Sequence, residues 1–312
     1  MALSKVNPNL ITQGASGRKN LISNGSFQIS QRGGYTSTTA AANNTYYVDR
    51  FRITAASVNV SNQHTTVSIG GVSKRAYRVT ATSAATGYFG SRHGIELLDL
   101  EVGATYTISC WMRSNKSNAR IRQDTIGAIS ADSTMSHTGG GDWEKITFTV
   151  DSTNTVANCA LQFICYPAAA VSVGDYIEIA DVQMEVGSVA TDFEHRSYGE
   201  ELQLCKRYFQ TIGGELTGEA LCAISAWNGG DNYGVLKFPV EMRVAPSSTT
   251  TGDTSWTLLS GAVTAPSTSV VVQLHTKKGF EINISRSGYF TTGRAGWVRG
   301  TTATKILADA EL

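Results

Sequence analysis

Four stretches of this chain alternate apolar and polar residues with a period of two: YRVTAT at 77–82, TYTISCWMR at 105–113, EKITFTV at 144–150 and LQFICY at 161–166. That period sends successive side chains to opposite faces of an extended strand, so each stretch has one apolar face to hide and reads as a half-buried strand. The clusters SAATG, EVGA, HTGGGD and DSTN lie between these and other β segments and turn the chain at short spacings, leaving little room for helices. The natural product is an all-β chain whose first region is an antiparallel sandwich or jelly roll. With 31 Gly, 5 Pro and much Thr and Ser, the composition suits tight turns and strands.

The stretch DYIEIADVQME at 175–185 supplies the last strand of this region. Its apolar positions change parity around Ala180, with Ile177 and Ile179 on one face and Val182 and Met184 on the other, which predicts a β-bulge. A helix follows. Ser197 and Glu200 have capping-box spacing, and Leu202, Cys205 and Phe209 recur on one face, predicting a helix over 198–210. It is too short to stand alone and needs a packing partner, either the sandwich or copies of itself around a symmetry axis.

Beyond Ile212 the β signal returns in ALCAISAW, VLKFPVEM, SVVVQLH and GFEINIS, and HTKKGFEI reads as a hairpin turning at Lys277, Lys278 and Gly279. With its long APSSTTTGDTSW stretch this makes a thin domain, expected to share its core with other subunits. The length of 312 residues makes two domains the default. No repeat of fixed period argues for a β-helix or propeller.

A net charge of +1 without a basic run argues against nucleic acid or a membrane surface as partner. The start, MALSKVNPNLITQG, has no apolar core of a secretory signal, and nowhere do about 18 apolar residues run together. The protein is therefore expected to be made soluble in a cytoplasm. Residues 1–20 read as an attachment arm. Cys110, Cys159, Cys165, Cys205 and Cys222 have neither zinc nor disulfide-framework spacing and are expected as reduced thiols without a role.

Three segments taken together, LISNGSFQISQRG followed by YYVDRFRI, then DVQMEVGSVATDFEHRSYGEELQLCKRYF, then LKFPVEMRVAPS with ADAEL, resemble a group of bacteriophage virion appendage proteins, chiefly tail fibre and receptor-binding proteins. The middle block is the most specific; the first is shared more widely among sugar-binding jelly rolls. The resemblance covers nearly the whole chain from Leu21. It implies a jelly roll like that of carbohydrate-binding modules over 21–196, a connector helix over 197–211 and a small C-terminal β domain over 212–312, assembled as a homotrimer. The Leu202, Cys205 and Phe209 face would then pack near the trimer axis.

Jelly rolls of that kind often carry calcium, and Asn24 and Asp181 match the usual ligand places. Ser26 and Gln28 stand where a carboxylate is expected, lowering the charge offered to a hard cation. No other cofactor is expected.

Trp111 shares the polar face of its strand with Thr107, Ser109 and Arg113, so an aromatic ring stands where water or a partner should be. Sugar rings stack on such residues; a subunit contact or a covering loop is the other reading. Tyr88, Phe89, Arg92 and His93 in TGYFGSRHG, and Tyr166 before Pro167, are further recognition material, as are Trp227, Asn228, Asp231, Asn232 and Tyr233 in AWNGGDNYG, which also reads as a plain hairpin turn.

For catalysis there is little. The five histidines lack metal-ligand spacing, and no nucleophile elbow or phosphate-cradling loop occurs. His195 reads as a partner of Glu194 or Glu200. Asp99 with Glu101, or Glu200 with Glu201, are carboxylate pairs whose separation the sequence does not give. The expectation is a nonenzymatic phage protein residing on the virion, a tail fibre or tail tip component that binds a bacterial surface polysaccharide and docks other virion proteins through residues 1–20. A capsid decoration or head fibre role is the alternative, and a surface-polysaccharide depolymerase the third.

Overall fold

The computed structural model describes residues 19–33, 38–96, 100–124, 126, 130–153, 159–166, 170–252, 255–260, 263–288 and 291–311. Residues 1–18 of the expected arm, and Asp99, lie outside them. The chain forms two units, 1–201 and 202–311, divided within a helix.

The first unit contains β1 (Thr39–Ala41), β2 (Tyr46–Val48), β3 (Phe51–Ala56), β4 (Val60–Ile69), β5 (Val72–Ala81), β6 (Tyr88–Ile95), β7 (Thr105–Ser114), β8 (Ala119–Asp124), β9 (Ala131–Ser136), β10 (Glu144–Asp151), β11 (Cys159–Cys165) and β12 (Tyr176–Val186). They make two antiparallel sheets ordered β1-β4-β5-β12-β7-β10 and β2-β3-β6-β11-β8-β9. From β5 to β12 every connection except the β8–β9 hairpin crosses between sheets, which gives a jelly-roll sandwich.

The period-two pattern explains the core. Tyr106, Ile108, Cys110 and Met112 of β7 face inward against Phe51, Phe89, Leu161 and Phe163 of the other sheet, each large apolar side chain contributing about 1.5–3 kcal/mol on burial. All of β11 is buried rather than half-buried as its pattern predicts. It lies between β6 and β8, away from both edges of its sheet.

The expected bulge is present. The register of β12 on β7 shifts between Ala180 and Gln183, and Asp181 has φ of 48°. Ile177 and Ile179 before it and Val182 and Met184 after it all reach the core. Ala180 and Asp181 therefore both point outward, a left-handed conformation that Asp tolerates better than most residues.

The beginning of this unit is sewn to its end. The Lys19 and Asn20 backbone N–H groups donate to the Glu194 carboxylate, Leu21 N–H donates to the Met184 carbonyl at 2.8 Å, and the Arg196 guanidinium donates to the carbonyls of Asn20 and Ile22.

Helix α1 (Tyr198–Lys206) has the expected capping box: Ser197 N–H donates to Glu200 Oε2 at 3.1 Å, and Glu200 N–H to Ser197 Oγ at 3.4 Å. It ends four residues earlier than its periodicity predicts. Phe209 opens β13 (Phe209–Ile212), which pairs with a strand at the far end of the chain, and that ladder outweighs one more helical turn. Phe209 is therefore not on the helix. Cys205 and Phe209 are buried and Leu202 half-buried within a single chain.

The second unit continues with β14 (Ala220–Ala226), β15 (Asp231–Lys237), β16 (Ser247–Thr251), β17 (Thr257–Ser260), β18 (Val263–Pro266), β19 (Ser269–Thr276), β20 (Gly279–Ser285), β21 (Ala295–Arg299) and β22 (Lys305–Asp309). Sheets β13-β22-β16 and β18-β17-β21-β14-β15-β20-β19 enclose a core of Trp256, Leu258, Ile282, Ile284, Val298 and Ile306. This domain, expected to be thin, closes a core from one chain.

None of the five cysteines is in a disulfide, and four of them are buried. Burial pushes the Cys165 thiol up to about 12 and the Cys222 thiol to about 11, which removes thiolate reactivity at neutral pH.

Candidate functional site

Three of the residues singled out in the sequence, Tyr88, Arg92 and Tyr166, come together on the outer face of the β2–β9 sheet. Their neighbours are set by cross-strand register. Tyr46 pairs with Arg52, Arg52 with Arg92, Arg92 with Gln162, Gln162 with Arg122, and Arg122 with Asp132. One polar row therefore crosses all six strands, because equivalent positions share a face.

Beside the row, Tyr88 and Tyr166 lie almost parallel, with ring centroids 6.1 Å apart and planes at 12°. Gly90 stands between Tyr88 and Arg92 on β6. A Cβ there would meet the Phe163 carbonyl oxygen at 1.9 Å, so only glycine allows this close approach of β6 to β11, where the buried Ile164 pairs with it. The Arg122 guanidinium carbon lies 5.5 Å from the centre of the Tyr166 ring, and Arg32 lies 5.2 Å from Tyr46 at the other end of the row.

The charges interlock. Arg122 donates to Asp132 at 2.9 Å, Arg122 and Arg92 each approach Asp124 to 3.6 Å, and Arg120 approaches Asp132 to 3.7 Å. Burial and then the adjacent Arg52 pull the Arg92 guanidinium below its ordinary value. At Arg122 burial acts the same way but is outweighed by the hydrogen bond and charge of Asp132, so its value is raised. The face thus presents oriented, partly exposed guanidinium groups beside two aromatic rings. Arg52, Arg120, Arg122, Asp124, Asp132 and Gln162 were missed in the sequence, although the alternation in ARIRQD carried the signal that Arg120 and Arg122 share a surface.

Trp111 and Arg113 lie on the opposite sheet and do not join this group. Trp111 is half-buried in a small cluster with Ile69, Ala76, Ala180, Val67 and Trp143. Arg113 donates through Nε at 3.0 Å and through Nη2 to Glu178, which is fully buried and also bound by Thr65 at 2.5 Å and approached by Arg78. Its guanidinium neutralises a buried carboxylate, a structural use rather than the ligand contact expected of it.

In the second unit Trp227 is 73% exposed and meets Tyr233 edge-on at 6.5 Å. Asn228 Oδ1 accepts the N–H groups of Gly230 and Asp231, closing the turn. Asp231 to Tyr233 belong to β15 and not to a loop, so the hairpin-turn reading describes this tip. The hydrogen bond from Asn228 holds the Asp231 carboxyl below its ordinary value.

The calcium ligands are not assembled. Asn24 Oδ1 accepts Ile29 N–H at 3.0 Å while Nδ2 donates to the carbonyls of Ile29 and Asp49, and Asp181 pairs with Lys74 on the outer surface. Gly25 follows Asn24 for a packing reason, since a Cβ would meet the Val182 carbonyl oxygen at 2.0 Å. Among the described residues no group of three or more His, Cys, Asp or Glu side chains is gathered to hold a metal ion. His195 does not pair with Glu194 or Glu200 either. The Glu194 oxygens take Lys19, Asn20 and Arg196, Glu200 binds Ser197, and the His195 ring packs edge-on against Phe193 at 5.0 Å.

No family model and no curated protein matches the chain. Solved structures with some likeness include the enzymatically active domain of tailspike protein 4 from bacteriophage CBA120, at 12% identity and TM-score 0.35, covering 54% of this chain and 21% of that one. A structure reported for CBM4 has 16% identity and TM-score 0.33, covering 53% and 99%. The xylan-binding CBM22-1 domain of Paenibacillus barcinonensis Xyn10C has 12% identity and TM-score 0.32, covering 55% and 96%.

Proposed function

We propose that this chain is a nonenzymatic virion appendage protein of a bacteriophage, a tail fibre or tail tip component, that binds an acidic bacterial surface polysaccharide through the outer face of the β2–β9 sheet. The observation that carries the binding reading is the unbroken row Tyr46–Arg52–Arg92–Gln162–Arg122–Asp132 with the Tyr88–Tyr166 pair beside it. Tyrosine faces take the C–H faces of sugar rings, and guanidinium forks take carboxylates in two-pronged hydrogen bonds. Arg52, Arg92, Arg120 and Arg122 outnumber Asp124 and Asp132, so the face favours an anionic chain over a neutral one. The virion assignment is supported by the three sequence segments that resemble phage appendage proteins, with residues 1–20 attaching to the particle. In a homotrimer, three shallow sites would gain avidity from their shared attachment.

The test is retention of the purified chain on immobilised polygalacturonate and alginate, with dextran as the neutral control. Retention on the acidic polymers that weakens with salt, and that is lost in Arg92→Ala and Arg122→Ala proteins of normal melting temperature, is the expected result. Equal retention on dextran, or no loss in the variants, overturns the reading. Reducing ends released from either polymer would point to a depolymerase instead. Sedimentation with host cells, before and after stripping of surface polysaccharide, tests the biological setting.

A further inference from the structure

The other sheet carries a cleft of about 320 Å³ that shares no residue with the arginine–tyrosine face. Its floor is Ser109 and Trp111 of β7; one wall is the ion pair of Lys74 and Asp181, and the other is the aromatic pair Phe193 and His195. The bulge builds the first wall. By placing Ala180 and Asp181 on the same side of β12, it lifts a carboxylate out of the sheet beside the indole ring.

The second wall is a strap formed by the chain after β12. Glu185 accepts Thr191 N–H at 2.9 Å and the Thr191 hydroxyl at 2.7 Å, and Gln183 Oε1 accepts Glu194 N–H at 2.8 Å. Lys145 Nζ reaches the Thr191 carbonyl at 3.3 Å. Pinned in this way, the strap holds the Phe193 and His195 rings as part of the cleft lining.

Polar groups in the cleft are left without partners among the described residues. The Trp111 indole N–H, the Ser109 hydroxyl and Asp181 Oδ1 make no hydrogen bond, and the Lys74 ammonium makes only its bond to Asp181. A half-buried site with two donor groups, an acceptor and a hydroxyl converging beside aromatic surfaces is arranged for a ligand that offers both kinds of hydrogen bond. Lys74 and Lys145 are balanced by Asp181 and Asp192, so the lining favours no net charge. The volume is at the lower end of small-molecule sites, which run from about 300 Å³ upward.

We propose that this cleft binds one neutral pyranose ring, its C–H face on Trp111 and its hydroxyls bonded to Asp181, Lys74 and Ser109. It is a second carbohydrate site on the opposite sheet, and it stands or falls independently of the acidic-polymer face.

The test uses the full chain labelled with ¹⁵N at its tryptophan indoles and titrated with the methyl pyranosides of glucose, galactose, mannose and N-acetylglucosamine. A Trp111→Phe protein assigns the Trp111 resonance. The proposal expects a saturable shift of that resonance with at least one sugar and a loss of affinity of about tenfold in Asp181→Asn or Lys74→Met, the size expected for losing one hydrogen bond to a charged group. Ser109→Ala serves as a further variant should either of these lose the bulge, and Arg122→Ala should leave the shift unchanged. No saturable shift with any of the four sugars, or a shift that keeps its affinity in the cleft variants, overturns it.

Discussion

The two outer faces of the sandwich are made of the same alternating strands, yet they use arginine in opposite ways. On the β1–β10 sheet, Arg113 and Arg78 converge on Glu178, which is fully buried, and Trp111 packs with Trp143 over Ala76 and Ala180. On the β2–β9 sheet, Arg92 and Arg122, no more exposed than Arg113 and Arg78, share Asp124, a carboxylate that itself reaches the surface. A guanidinium that neutralises a buried carboxylate is committed, because removing it strands a charge. One that shares a surface carboxylate can reorient toward a ligand at small cost. Residue type alone therefore does not tell a guanidinium that is free to meet a ligand from one that the fold holds; the burial of its partner does.

The comparison breaks most sharply at Trp111. Trp111→Ala should cost about 2–4 kcal/mol of stability, below the full value for a buried tryptophan because the ring is half-exposed, and should leave polygalacturonate binding intact. Chemical denaturation alongside the retention assay checks both. If binding falls as far as stability, the two faces are not independent.

Arg122→Ala should act the other way. Losing its contacts to Asp132, Asp124 and Tyr166 should weaken acidic-polymer binding by about 1.5–3 kcal/mol, with a stability change within about 1 kcal/mol. A titration of polymer affinity next to a melting curve separates the outcomes.

Between these faces lie His93 and His64. Burial, and then Arg50, holds the His93 ring well below the ordinary value of 6.5, and burial lowers His64 as well. A depressed folded-state value means that stability is full above pH 6.5 and is lost as pH falls below it, by up to about 1.4 kcal/mol per pH unit for each histidine. Melting temperatures measured from pH 7.5 to 5.5 should fall accordingly, and a flat profile would contradict the burial.

The smallest effect is expected at the strap. Burial opposes the charge on Glu185, but the two hydrogen bonds from Thr191 outweigh it and hold its carboxyl below the ordinary range. Its contribution is therefore present above the ordinary carboxylate value and is lost only as pH falls through the depressed one. Hydrogen exchange at the Thr191 amide should speed up in that acid window before the β7 amides do.

The sandwich was legible because its signal is local. A period of two fixes which side of β7 each residue takes, and the parity change at Ala180 announces the bulge that turns Asp181 outward. The end of α1 was not legible, since Phe209 leaves the helix to pair with Asp309, a hundred residues away. The arginine row was hidden for a related reason. ARIRQD looks like an ordinary solvated strand, and only its register with Gln162, and that of Gln162 with Arg92, aligns the guanidinium groups. Tyr88 and Tyr166 read singly as loop aromatics, because their stacking depends on strands that the sequence does not order. The pairing of Arg113 with Glu178 is not legible in the sequence, because Glu178 sits alone among apolar residues and its burial shows only in three dimensions.

The seam between residues 19–22 and the Gln183 to Arg196 segment has a mechanical meaning. The chain enters and leaves the sandwich at one place, joined there by backbone and guanidinium hydrogen bonds. A pull applied between those two points meets these hydrogen bonds directly, ahead of the strands of the core.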